Sequence, residues 1–284
     1  MIASKAYAKI NIGLKIVGKR EDGYHDIETT LATINLSDSI TFEQTKHGIS
    51  VESQGLDIPL EDNLCYRAAE RFMRKYRIAK GVRIRLIKNI PVGGGLGGGS
   101  SDAACVLRGL SRLYNVKTSD EDLMALSREI GADVPFFIKG GAAYARGRGD
   151  MLTYFKLPRM SLIIYYPGYP ISTEWAYNEH DNSLLTREPT LDKITEEGNK
   201  KKKKRVSFDL NNDFEKVVFR KHPDLLDVKT NLVACGILCV SLSGSGSCLF
   251  ALVDDRTKQK AVRYLEGIGA QFFEVRTVRQ EGGD

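Results

Sequence analysis

The sequence predicts an α+β protein of two subdomains that meet at a break near residues 156–160. Three observations carry this. The opening stretch alternates with strand period two. A run in which six of the seven residues from Gly93 to Gly99 are glycine lies between a strand pattern and a helix pattern. Beyond the break a second mixed set of strands and helices ends in another small-residue turn, Ser243 to Ser247. With 284 residues and 42% hydrophobic content, the chain can build a core without disulfide or metal staples.

Taken in order, Ala6, Ala8, Ile10, Ile12 and Leu14 fall on one strand face, and Tyr7, Lys9, Asn11 and Gly13 on the other. Asp22-Gly23 is a hairpin signal. Strand-like sequence follows over 29–34 and 39–42. Leu64, Ala68, Ala69, Phe72 and Tyr76 recur at helical steps, with Asp62 or Asn63 as cap. Val82, Ile84 and Leu86 alternate with Arg83 and Arg85. After the glycine run, Ala103, Ala104, Leu107, Leu110 and Leu113 space as a helix, with Ser100 and Ser101 at the N-cap. A third helix begins near Ser119, its first turn rich in acid, and ends near Gly131. Past the break, 161–166 reads as a strand and 179–204 as a polar loop. The remainder reads helix, helix, strand pair, helix, strand.

The chain has no apolar run long enough to cross a membrane, and its alternating start does not read as a signal peptide. Five cysteines without a C-x-x-C pattern point to reduced packing residues in a cytoplasmic protein. Cys235 and Cys239 are expected on one helix face. The net charge of +6 comes from 42 basic and 36 acidic residues, and Lys200 to Arg205 supplies six of the basic ones. Without that run the balance is 36 to 36, so the body is neutral. Such a block reads as a solvated loop rather than the spread basic face of a nucleic-acid binder.

Glycine is costly to order, so a glycine run inside a strand–loop–helix unit implies close approach to the main chain. Bare backbone leading into a helix start is an anion cradle, and phosphate is its natural guest. No Gly-Lys-Ser/Thr closes the loop, which excludes a Walker A site. The helix after the loop leads to a second helix rather than to an acid-tipped strand, which argues against a dinucleotide fold. The V-A-I-K, H-R-D and D-F-G segments of protein kinases are absent.

"PVGGGLGGGSSDAA" (91–104) resembles the phosphate loop of the GHMP small-molecule kinases, which include galactokinase, homoserine kinase and mevalonate kinase. "AYAKINIGLKI" looks like that family's N-terminal motif and "LSGSGSCLF" like its C-terminal glycine motif. The "GYH" and the doubled triple glycine are closest to the branch that acts on a cytidine-diphosphate-linked polyol. The resemblance covers nearly the whole chain and is weakest from about 181 to 205. It implies a ribosomal-protein-S5-like N-terminal domain over 1–157 and a ferredoxin-like C-terminal domain over 158–284.

It further implies ATP with Mg²⁺ as cofactor and transfer of the γ-phosphoryl group to a substrate alcohol. Asp133 would be the base and Lys9 the charge stabiliser. From the residues alone, Lys9 is equally a solvent-facing strand lysine and Asp133 equally an N-cap before Val134-Pro135. The phosphates would lie on Pro91, Val92, Gly93, Gly94, Gly95, Leu96, Gly97, Gly98, Gly99, Ser100 and Ser101, and the adenosine near Asn63, Leu64, Lys88 and Asp102. Tyr24 would stack on cytosine and His25 bond its edge, with Thr173 and Tyr177 closing the pocket and Asn11 assisting. A register slip would exchange Tyr177 for Trp175. Many relatives outside this branch carry serines where Gly98 and Gly99 stand, so no protein ligand for Mg²⁺ is named. The expected partner is a small molecule, not nucleic acid or membrane, for a monomer or weak homodimer. Two alternatives stay open: a kinase of the homoserine or mevalonate type, and a non-catalytic or nucleic-acid-binding module using Lys200–Arg205.

Overall fold

The computed structural model describes residues 1–54, 58–185 and 210–278; the Lys200–Arg205 run lies outside them. The first sheet holds β1 (Ile2–Lys19), β2 (His25–Thr45), β3 (Ile49–Gln54), β4 (Gly81–Ile87), β5 (Ala142–Arg146) and β6 (Met151–Phe155). Its order is β3-β4-β2-β5-β6, with β1 on the free side of β2. The 29–34 and 39–42 patterns are parts of a single strand, β2. It pairs with β1 along most of its length and, on its other side, with β5 and then β4. The β1–β2 hairpin closes at the predicted turn, where Arg20 N–H donates to Tyr24 C=O at 2.8 Å.

Strand β3 pairs parallel to β4, and α1 (Leu64–Lys75) makes the crossover that a parallel pair needs. With α2 (Gly98–Leu113) and α3 (Asp120–Ser127), α1 covers one face of the sheet. Phe42, Phe72, Val82, Ile84, Leu107 and Leu110 form the heart of that core. Helix α3 stops at Ser127, and a separate short helix, α4 (Val134–Lys139), follows.

The second sheet holds β7 (Ser161–Tyr166), β8 (Cys239–Leu242), β9 (Leu249–Val253) and β10 (Gln271–Arg276), ordered β10-β7-β9-β8 and antiparallel throughout. Its helices are α5 (Thr173–Leu185), α6 (Glu215–Lys221), α7 (Pro223–Ala234) and α8 (Asp255–Gly267). This is the ferredoxin-like strand order. Strand β1 joins the layers. Ala6 lies in the first core and Leu14 in the second. Between them Ala8, Ile10 and Ile12 form a seam with Ile164, Phe250 and Val275.

Three further expectations are corrected. The stretch 179–204 is not loop from its start, because α5 runs to Leu185; 186–204 lies outside the described residues. Cys235 caps α7 while Cys239 begins β8, so they share no helix face. Ser100 and Ser101 are not caps: Gly97, at φ +68°, holds that position and α2 starts at Gly98. The five cysteines are free thiols.

Gly109 lies on the buried face of α2, where an added Cβ would stand 2.4 Å from Cε2 of the fully buried Phe42 ring. Helix propensity alone has Gly109→Ala stabilise by about 1 kcal/mol. Overpacking opposes this by about 1–3 kcal/mol. The expected outcome is a Tm lowered by a few degrees; a raised Tm would mean that the ring yields.

Candidate active site

Glycine is required in the loop because the second turn packs directly on it. At Gly95 (φ +75°) a Cβ would meet the Ser243 carbonyl oxygen at 1.9 Å. The loop's carbonyls are taken up by its neighbours. Gly93 C=O accepts from Ile171 and Ser247 N–H at 3.2 and 3.3 Å, and Gly94 C=O from Cys248 N–H at 3.1 Å. Gly95 C=O accepts from Ser243 Oγ at 3.1 Å, and Leu96 C=O from Lys9 N–H at 3.0 Å. The N–H groups from Gly95 to Ser100, by contrast, donate to no acceptor among the described residues. Free donors and the positive end of a 16-residue helix therefore face the cleft together.

The alternation of β1 delivers Lys9 and Asn11 to the same cleft. Lys9 is 5% exposed, so it is no solvent-facing lysine. Its Nζ lies 3.9 Å from Asp133 Oδ2 and donates to Asn11 Oδ1. Asn11 is itself held: its Nδ2 donates to Thr29 Oγ1 at 3.1 Å and its backbone N–H to Ser243 Oγ at 3.3 Å. Burial lowers the Lys9 pKa from 10.5, against the opposing pull of Asp133. Asp133 occupies the N-cap position of α4 but makes no capping bond, so the capping reading falls and its half-buried carboxylate opens on the cleft.

The far wall is aromatic. His25 stacks on Tyr177, with centroids 4.4 Å apart and planes 13° apart, and Tyr177 meets the edge of Phe214 at 4.8 Å. His25 Nε2 is 2.7 Å from Asp181 Oδ1, and Lys19 Nζ donates to Asp181 Oδ2 at 2.8 Å. Burial would raise the Asp181 carboxyl, but Lys19 and His25 hold it below its usual value. Tyr24 is exposed, with Arg148 4.9 Å over its ring. Thr173 Oγ1 lies 2.9 Å from Ser245 Oγ, which ties α5 to the second glycine turn. Trp175 is turned away, toward Lys221 and His222. Tyr177 lines the cleft and Trp175 does not.

At the other end, Asn63 caps α1 by accepting from Cys65 N–H at 2.9 Å. Lys88 Nζ donates to Asp102 Oδ2 at 2.7 Å and to buried Asp38. Lys9, Asp133, His25, Tyr177, Lys88 and Asp102 line a single cleft of about 930 Å³, as do residues 91–100, whereas Asp38, Asp181 and Ser243 stand behind its wall. Ser101 does not line it: its hydroxyl donates to Tyr7 C=O at 2.6 Å. The sequence reading missed Asp181, which fell in the stretch taken for loop, and Arg148. It also missed Ser243 and Ser245, although both sit in a motif it quoted. Among the described residues no group of three or more His, Cys, Asp or Glu is placed to hold a metal.

The lowered Lys9 pKa has a sign that can be tested. Between that value and 10.5 the unfolded chain holds more protons than the folded one, so stability from this group rises with pH across the window. Melting curves taken from neutral pH up to 10.5 should show the wild type gaining on Lys9→Met. A constant difference between the two would contradict the burial cost.

The family profile described as the GHMP kinases N terminal domain matches residues 63–141, and the profile described as GHMP kinases C terminal matches 195–268. A Clostridium beijerinckii protein named 4-diphosphocytidyl-2-C-methyl-D-erythritol kinase is 41% identical over 256 residues, 89% of this chain and 91% of that protein. Another of the same name, from Prosthecochloris aestuarii, is 42% identical over 268 residues, 93% of each. The crystal structure of a 4-(cytidine 5'-diphospho)-2C-methyl-D-erythritol kinase superposes with a TM-score of 0.76 at 32% identity, covering 97% of this chain and 99% of that one. With one profile over the glycine loop, the other over the second small-residue turn, and relatives alike almost end to end, this chain belongs to the GHMP kinase family of ATP-dependent small-molecule kinases.

Proposed function

We propose that the chain transfers the γ-phosphoryl group of ATP to the 2-hydroxyl of 4-diphosphocytidyl-2-C-methyl-D-erythritol, a step toward isoprenoid precursors. One observation carries this reading: the Lys9–Asp133 pair lies in one cleft with the free amides of the glycine loop and the His25–Tyr177 aromatic wall. Asp133 accepts the hydroxyl proton as the oxygen attacks the γ-phosphorus, and the bond from that phosphorus to the β-phosphate oxygen breaks to release ADP. Lys9 offsets charge on the group in flight, 3.9 Å from the Asp133 carboxylate. Asn11 holds the Lys9 ammonium on its line. The amides from Gly95 to Ser100 bind the polyphosphate. Bound Mg²⁺ would supply neutralisation of phosphate charge, and no side chain among the described residues is assigned to hold it.

Tyr24, His25 and Tyr177 supply the flat faces and the polar edge that a cytosine ring matches. Asp181 orients His25, and the Thr173–Ser245 contact keeps α5 against the turn. Homoserine and mevalonate have no ring for this wall to grip, which favours the cytidine substrate over either. Asn63, Leu64, Lys88 and Asp102 border the side of the cleft left for adenosine.

The test is single-turnover transfer from γ-labelled ATP with Mg²⁺, offering the cytidine substrate, homoserine and mevalonate in parallel. Label should pass to the cytidine substrate alone, and Asp133→Asn should slow transfer about 10²–10⁴-fold. Transfer to homoserine or mevalonate instead would remove the cytosine assignment. Unimpaired Asp133→Asn would remove the base.

A further inference from the structure

The β2–β4 ladder ends at the pair Ser39–Ile87, so the next register position sets Asp38 opposite Lys88. There β4 leaves the sheet and the chain turns into the glycine loop. The N–H groups of Asn89 and Ile90 have lost their strand partner, and a buried donor needs another. Asp38, which is fully buried, supplies it. Its Oδ1 accepts from Asn89 N–H at 2.5 Å and from Ile90 N–H at 2.9 Å, while its Oδ2 accepts from Lys88 Nζ. The same ammonium lies 3.2 Å from where a Cβ on Gly98 would stand, beneath the first residue of α2. It also donates to Asp102 Oδ2 at 2.7 Å. Asp38 does not border the cleft, so it touches no bound molecule.

We infer that Asp38 is a positioning residue for the nucleotide: it sets where the glycine loop leaves β4 and holds the Lys88 ammonium under the start of α2. This rests on the reading that ATP's phosphates lie on that loop. The arrangement also sets the charge beneath the phosphates. Two buried carboxylates share one ammonium, so full ionisation leaves an excess negative charge under a polyanion's site. Burial is the main force raising the Asp102 carboxyl, to about 7; Lys88 lowers it and Asp38 raises it further. Among the described residues the other titratable groups facing the cluster, the Cys65 thiol of α1 and the Cys105 thiol of α2, are both raised by burial and stay neutral. Around neutral pH the cluster therefore passes from neutral to negative, and ATP should bind more weakly as pH rises.

The experiment is calorimetric binding of ATP at saturating Mg²⁺ to wild type and Asp38→Asn, at pH 6 and pH 8. At pH 6, where neither cluster is negative, the variant should bind about tenfold more weakly, because its amide keeps one neutral acceptor for the loop's N–H groups but turns an Nδ2 donor on the Lys88 ammonium, which loses its hold under α2. From pH 6 to 8 the wild type should lose affinity. The variant should lose less, since without Asp38 its Asp102 titrates at lower pH and ionisation leaves the Lys88–Asp102 pair neutral rather than negative. Comparing the two proteins cancels ATP's own titration. Equal affinities at pH 6 would overturn the proposal, as would parallel pH profiles. A second measurement needs no variant: in the wild type the amides of Asn89 and Ile90 should exchange with solvent as slowly as those within β4. Free exchange there would overturn the anchor. The binding readout is independent of turnover. ATP binding without phosphoryl transfer to any alcohol would fell the proposed reaction and leave the positioning role standing, while unchanged ATP affinity in an active Asp38→Asn would do the reverse.

Discussion

The cleft depends on one join, made of backbone, between the glycine loop and the Ser243–Ser247 turn. The loop runs against that turn at a distance no side chain tolerates, as the 1.9 Å clearance at Gly95 shows. Each loop carbonyl from Gly93 to Leu96 is bonded to the second layer or to β1. A peptide whose carbonyl is tied down on one side presents its N–H on the other. The join thus links the two sheets and, by the same bonds, leaves a row of donors open.

Strand β1 is the mechanical partner of that join. Its apolar face passes from the first core through the seam to the second, so its position is over-determined by packing. The polar face is then fixed without further cost. Lys9 and Asn11 point where the alternation sends them, and Lys9 N–H bonds the loop at Leu96. A buried ammonium is costly to keep. It is retained here with a carboxylate at 3.9 Å and an amide acceptor, an arrangement that a purely structural strand does not need. The same holds for Asp38, Lys88 and Asp102, a buried cluster with one charge too many, placed under the loop rather than in either core.

Much of this was legible in the residues. Period-two alternation marked β1, and the small-residue turns marked both halves of the join, because both signals are local. The strand from 161 to 166 and the order of the last six elements were legible for the same reason. What was not legible depended on distant partners. Strands β5 and β6 are short and rest on the neighbours they pair with. The start of α2 went to Gly97 rather than to a serine because the loop's left-handed path decides it. Asp181 finds its meaning in His25, 156 residues earlier in the chain, and Asp38 in Lys88, 50 residues later. No window over either residue reveals such a pair. The roles of Lys9 and Asp133 were suggested by family resemblance, whereas the burial of Lys9 and the absence of a capping bond at Asp133 are structural facts.

The central claim is that the loop's free amides are the receptor for ATP's phosphates. The most direct measurement is an amide NMR titration of glycine-¹⁵N-labelled protein with Mg²⁺ and ATP. The account predicts large downfield shifts at Gly95, Gly97, Gly98 and Gly99, with glycines remote from the cleft, such as Gly236 and Gly269, unmoved. Saturable ATP binding that leaves those four amides where they were would contradict it.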